Sequence, residues 1–294
     1  MPARRASGTK ADPNKSGKLA APKHSPNVSY NDIDLDNWKE YDDVLTDSLW
    51  MMHSRDKTGG HQLDYHGNCI PQILTQLLTR FTKKNDVVVD LFLGSGTTAI
   101  EAERLGRQCI GVELSPRMVD YVQDKIDSMD ATARHDVIRG NSQDEEWTGR
   151  KIDAALKKRG LEHAQFLFMH PPYDDIIQFS EHPDDLSNMK TPQEFIDGFV
   201  NVARLAYNKL APGRFAAVVI GDKYANKELV PLGFMCMQAM NQVGFRTKSI
   251  IVKNITGNER GKGRTSNLWR YRALKGGFYL FKHEYIFVFE KPGR

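Results

Sequence analysis

His170-Pro171-Pro172-Tyr173 sets an imidazole, two proline carbonyls and a phenol ring side by side. Consecutive prolines stiffen φ and remove both amide donors, so the backbone here offers acceptors without competing N–H groups. A neutral imidazole adds one acceptor nitrogen, and a protonated one adds none. Upstream stands Val87-Val88-Val89-Asp90-Leu91-Phe92-Leu93-Gly94-Ser95-Gly96-Thr97-Thr98, a β-branched run that ends in an acid and a glycine-rich turn. Gly94 and Gly96 let the backbone curl close to a ligand where a Cβ would clash. Alone such a loop is weak evidence, because dinucleotide enzymes use similar ones. It has no GK[ST] ending, which disfavours a nucleotide-phosphate loop. A second acid, Glu113, lies 17 residues past Gly96 at the end of another apolar run and is placed to accept ribose hydroxyl protons.

These groups need a parallel sheet to hold them. Alternation of apolar runs and helical periodicity predicts strands at 86–92, 108–114, 135–140, 165–170 and 214–221. Between them, helices are expected at 97–106, 116–130, 145–159 and 192–210. A helix at 228–243 and strands at 246–253 and 283–290 follow. A helix with Ile73, Leu74, Leu77, Leu78 and Phe81 on one face precedes the glycine loop. Alternating strands and helices give an α/β fold with helices on both faces of the sheet. Ligands of such sheets sit at the carboxyl ends of the strands, where both motifs fall. The last two strands should pair as an antiparallel edge.

Together the glycine loop and His170-Pro171-Pro172-Tyr173 resemble the two signature motifs of DNA amino-methyltransferases. The resemblance extends over about residues 48–290, including His66-Gly67-Asn68-Cys69-Ile70-Pro71 and the strand His283 to Phe289. It implies a Rossmann-like, seven-stranded, mostly parallel methyltransferase sheet with an antiparallel edge hairpin. It also implies S-adenosylmethionine as cofactor and methyl transfer to an exocyclic amine of adenine or cytosine in double-stranded DNA, with base flipping. Adenine N6 is slightly favoured over cytosine N4. The cofactor would meet Asp90, Phe92, Gly94, Ser95, Gly96, Thr97, Glu113, Asn141, Ser142 and Asn68. Asp90 or a nearby carboxylate would hold its ammonium. His170, Pro171, Pro172 and Tyr173 would form the catalytic site. The Pro171 carbonyl and His170 would accept the two amine protons, and Tyr173 would stack on the base. Adenine enzymes of the family usually carry Asp or Asn at the position of His170, and many N4-cytosine enzymes Ser. His170 therefore leaves the target base open. Asp174 and Asp175 follow closely and could assist.

The bulk properties fit this reading. Of 294 residues 40% are hydrophobic and 27% charged, with a mean hydropathy of −0.53, and no apolar run reaches the length of a membrane helix. The net charge is only +4, but residues 1–30 hold six Lys/Arg against one Asp, and 253–275 hold seven against one Glu. Residues 1–27 read as a disordered basic tail and 28–294 as the methyltransferase domain. Within it, 254–282 is a candidate DNA-recognition insertion carrying Arg260, Lys262, Arg264, Trp269, Arg270 and Arg272. Cys69, Cys109 and Cys236 have no metal-like spacing, and no metal is expected. The expected setting is cytoplasmic, nucleoid-associated if bacterial, as a monomer or homodimer with a possible restriction endonuclease partner. An RNA or protein-glutamine methyltransferase, or a noncatalytic DNA-binding relative, are the alternatives.

Overall fold

The computed structural model describes residues 30–58, 60–61, 67–173, 180–225, 228–255 and 266–293. The expected basic tail lies outside them.

The β-branched run forms β2 (Val87–Asp90). Val87 and Val89 pack into the core on one face of the sheet and Val88 into the core on the other. Burial on both faces is what a central parallel strand demands. Its neighbours are β3 (Gln108–Glu113) and β5 (Ala164–Met169), both parallel to it. Outside them lie β4 (His135–Arg139) and β6 (Leu210–Ile220), also parallel. Then β10 (His283–Glu290) pairs antiparallel with both β6 and β9 (Arg246–Asn254). The sheet is thus mostly parallel, with the last two strands paired antiparallel as expected.

An eighth strand was not expected. The two-residue β1 (Leu49–Trp50) runs parallel to β9, with Leu49 opposite Val252 and Trp50 opposite Lys253. The carboxyl end of β9 is therefore covered rather than an edge. The Asn254 side chain fastens this join, accepting from Met52 N–H at 2.7 Å and donating to Met52 O at 3.1 Å.

One layer of helices comprises α1 (Pro71–Phe81), α2 (Thr97–Arg104) and α3 (Pro116–Ser128). The other comprises α4 (Glu145–Lys157), α5 (Pro192–Lys209) and α6 (Leu232–Gln242). The apolar stripe predicted on α1 is buried. α6 starts later than predicted because β7 (Lys223–Ala225) and β8 (Glu228–Val230) form a separate hairpin before Pro231. The insertion 254–282 carries a helix of its own, α7 (Ser266–Gly276).

Gly96 caps α2 in the left-handed region (φ +85°), and a Cβ there would lie 2.9 Å from Val122 Cγ1. A non-glycine residue held in that region costs about 1–3 kcal/mol. Gly96→Ala is expected to lower the urea midpoint accordingly at unchanged m-value. An unshifted midpoint would mean that the loop relaxes without cost.

Candidate active site

The glycine loop is stitched to both flanking strands. Leu91 N–H donates to Phe168 O at 3.2 Å and Leu93 N–H to Val112 O at 2.9 Å. Asp90 is 1% exposed and closes the loop onto α2, accepting from Phe92 N–H at 2.8 Å and from the Thr98 hydroxyl at 2.5 Å. Among the described residues no cation pairs with it. Burial pushes its pKa up to about 7, against those two hydrogen bonds and with the Glu113 charge adding to the rise. Glu113 accepts from Gly94 N–H (2.9 Å) through one oxygen and from Ser115 N–H (2.8 Å) through the other, so it shapes the loop. Burial also raises its pKa, against those bonds.

Asn68 precedes α1 and accepts the Ser95 hydroxyl at 2.6 Å. Among the described residues its buried Nδ2 finds no acceptor, and neither does the buried Nε of Arg55. Arg55 Nη1 donates to the carbonyls of Asn68 (3.3 Å) and Cys69 (2.9 Å). Buried polar atoms are normally paired. A buried carboxylate lacking a cation and a buried amide lacking an acceptor match a ligand carrying an ammonium and a carboxylate. S-adenosylmethionine carries both, so the loop residues fit it.

Other expected cofactor residues line the same end of the sheet. Phe92 is half-buried against the core, and Thr97 is buried at the start of α2. Ser142 is buried and donates to Leu91 O at 2.5 Å, tying the loop after β4 to the glycine loop. The Asn141 side chain is already engaged, accepting from Gln143 N–H at 2.9 Å and donating to Asp184 at 3.3 Å.

His170-Pro171-Pro172-Tyr173 begins directly after β5. Phe168 is the register partner of Asp90, so His170 leaves the strand two residues beyond the level of the Asp90 carboxylate. The glycine loop and the proline run thus meet at one end of adjacent strands. The His170 and Tyr173 rings stand edge to face, centroids 5.7 Å apart, with Nε2 3.3 Å from the phenol oxygen. Gly221, just after β6, makes room for the phenol: a Cβ there would lie 3.0 Å from Tyr173 Cε2. Burial lowers the His170 pKa; Glu284 opposes this and Lys253 adds to it. The neutral imidazole, the form with an acceptor, is therefore favoured. Burial raises the Tyr173 pKa.

Sequence reading missed two residues here. Tyr173 donates its hydroxyl proton to Glu284 at 2.6 Å, and Glu284 accepts from Lys253 at 2.9 Å. The available signal was strand alternation. Glu284 falls in phase with inward-facing Ile286 and Val288, and Lys253 with Ile251, which puts opposite charges at core positions of two strands.

Asp174, Asp175 and His66 lie outside the described residues. In the segment 180–188, Asp185 receives Ser187 N–H and both the Ser180 and Ser187 hydroxyls, and the His182 ring accepts Asp184 N–H. These groups staple the loop.

The insertion leaves and re-enters at the active end. β9 is parallel to β6 through β10, so its carboxyl end lies with those of β5 and β6, and Ile255 N–H still pairs with Lys282 O at 2.8 Å. On α7, Arg270 and Arg272 are exposed and Trp269 half-buried, with the Arg272 guanidinium 5.1 Å from the Trp269 ring centre. Tyr271 is 59% exposed and Leu274 70%. Arg260, Lys262 and Arg264 lie outside the described residues.

Comparison with known proteins matches the chain to the family described as DNA methylase, of N6/N4 type, over residues 9–124 and 164–294. The type II methyltransferase M2.LlaDCHI of Lactococcus lactis subsp. cremoris is 37% identical over 81 residues, which cover 27% of this chain and 28% of that protein. M2.DpnII of Streptococcus pneumoniae, also a type II methyltransferase, is 30% identical over 100 residues, or 34% and 35% of the two chains. The chain spans about a third or less of the length of the curated relatives it matches. Among solved structures, TrmN from Thermus thermophilus is 15% identical with a TM-score of 0.45, covering 77% of this chain and 50% of that one. The family match takes in both the glycine loop and the proline run, and the chain belongs to the S-adenosylmethionine-dependent DNA methylases of the N6/N4 family.

Proposed function

We propose that the protein methylates an exocyclic amino group of a base displaced from double-stranded DNA, with adenine N6 slightly favoured over cytosine N4. The observation that carries this reading is the juxtaposition of His170-Pro171-Pro172-Tyr173 with the glycine loop at the ends of β5 and β2. An exocyclic amine is a poor nucleophile because its lone pair is delocalised into the ring. When bound, S-adenosylmethionine supplies a methyl group that is already a good electrophile. The protein's task is then to localise the amine lone pair and align it. His170 and the Pro171 carbonyl accept its two protons, and the Tyr173 ring offers a face for the base. Asp90 and Asn68 receive the charged end of the cofactor, and Glu113 its ribose.

The position and chemistry of α7 favour a nucleic acid over a protein substrate. Its exposed arginines suit phosphates or base edges, and its aromatic residues suit the gap left by a displaced base. An Arg270→Ser/Arg272→Ser variant is expected to weaken duplex binding and to flatten its salt dependence by up to about two phosphate contacts' worth of slope. Cofactor affinity, read by calorimetry, should not change. A wild-type salt slope in the variant would remove α7 from the interface.

The reading is tested by incubating the purified protein with methyl-labelled cofactor and, in parallel, duplex DNA, transfer RNA, ribosomal RNA and a mixed protein extract. Label is expected in the duplex. Label confined to RNA or protein would reassign the substrate.

A further inference from the structure

Lys253 and Glu284 form a largely buried ion pair at the end of the sheet that carries the candidate site. They are direct register partners on β9 and β10, and Lys253 is 5% exposed. Replacing such a pair by apolar residues is often neutral or stabilising, so packing alone does not account for it. The directions of its hydrogen bonds do. Lys253 donates to Glu284 Oε1, and a carboxylate paired with an ammonium only accepts. Glu284 Oε2 therefore takes the single proton of the Tyr173 hydroxyl, at 2.6 Å. With that proton committed, the phenol oxygen can only accept from its other neighbour, His170 Nε2 at 3.3 Å. The contact is a hydrogen bond only if Nε2 carries a proton, and a neutral imidazole protonated on Nε2 has its lone pair on Nδ1.

We propose that Lys253 and Glu284 are positioning residues that act through the Tyr173 hydroxyl to hold His170 as the neutral Nε2–H tautomer, leaving Nδ1 as the nitrogen that accepts a proton of the target amine. Only the last clause rests on the proposed function; the tautomer belongs to the protein without DNA. The polarity is reversible in principle. A group that donated to the phenol oxygen would let the hydroxyl donate to Nε2, move the ring proton to Nδ1 and remove the acceptor. Sequence distance hides this relay, because Tyr173 and Glu284 are 111 residues apart.

The test is ¹⁵N NMR of histidine-labelled full-length protein at pH 8, with the His170 signals identified by their loss in His170→Asn. The expected result is a pyrrole-type Nε2 and a pyridine-type Nδ1. Tyr173→Phe keeps the ring and the ion pair but removes the hydroxyl. It should admit an Nδ1–H fraction and lower kcat about tenfold, with cofactor Kd within twofold of wild type. Glu284→Gln should do the same; Tyr173→Phe decides the matter if Glu284→Gln fails to fold. An Nδ1–H form dominant in the wild type would overturn the proposal, as would wild-type tautomer and kcat in Tyr173→Phe. The expected tautomer in a protein that methylates no nucleic acid would overturn the proposed function and leave the tautomer assignment standing. An Nδ1–H tautomer in an enzyme that methylates DNA would do the opposite.

Discussion

His170→Ala is expected to bind S-adenosylmethionine with wild-type affinity and to transfer methyl groups about 100-fold more slowly, the scale set by losing one positioned proton acceptor. The amine would keep the Pro171 carbonyl as partner for one proton and have none for the other. His170→Asn should retain part of the activity, because its amide oxygen still accepts. The pH profile separates the two roles. The neutral imidazole is the working form, so activity at saturating DNA and cofactor falls as pH drops through the His170 pKa. Burial lowers that pKa from the ordinary 6.5, which moves the acid limb to lower pH than an unperturbed histidine would give. In His170→Asn most of that limb should vanish. Its persistence would assign the titration to another group. Full activity in His170→Ala would remove the imidazole from the reaction.

Asp90→Asn and Glu113→Ala are each expected to lower cofactor affinity at least tenfold, as loss of a charge-assisted hydrogen bond of roughly 1.5–3 kcal/mol implies. Asp90→Asn should also stabilise the cofactor-free protein. The Asp90 pKa rises from 3.8 unfolded to about 7 folded, so its neutral form is the one that suits the fold. Its favourable contribution is fully present below about pH 4 and is lost as pH rises through about 7. At pH 8 the wild type therefore carries a buried charge that asparagine lacks, and thermal unfolding of the free variant should occur at higher temperature. Near pH 4 the difference should disappear. A tighter fold with weaker binding is what a residue kept for its ligand gives. Retained affinity in both variants, with the proteins folded, would move the cofactor away from the ends of β2 and β3.

What the chain reveals locally is what periodicity and turn chemistry dictate. The Val87–Val89 run, the glycines after it and the apolar stripe of α1 each satisfy a short-range rule, and each element formed where expected. The strands before the two motifs are parallel neighbours, which brings the motifs together at one end of the sheet. β1 escaped because two residues carry no alternation, and its pairing depends on an asparagine some 200 positions away. β8 was absorbed into the start of the helix expected at 228–243, since its three residues could equally continue an apolar helix, and β7 fell in the unassigned stretch before it. No element was expected within 254–282, although Ser266–Gly276 contains enough good helix formers to make α7. The relay from Lys253 to His170 spans three strands' ends, and only folding brings its members together.

The most direct measurement is mass spectrometry of nucleosides from DNA of cells expressing the protein, beside cells expressing His170→Ala. Methylation at this site predicts N6-methyladenine or N4-methylcytosine in the first sample, above the vector control, and little of either in the second. Equal amounts in all three, from protein shown to be folded and to bind S-adenosylmethionine, would contradict DNA base methylation by the His170-Pro171-Pro172-Tyr173 site.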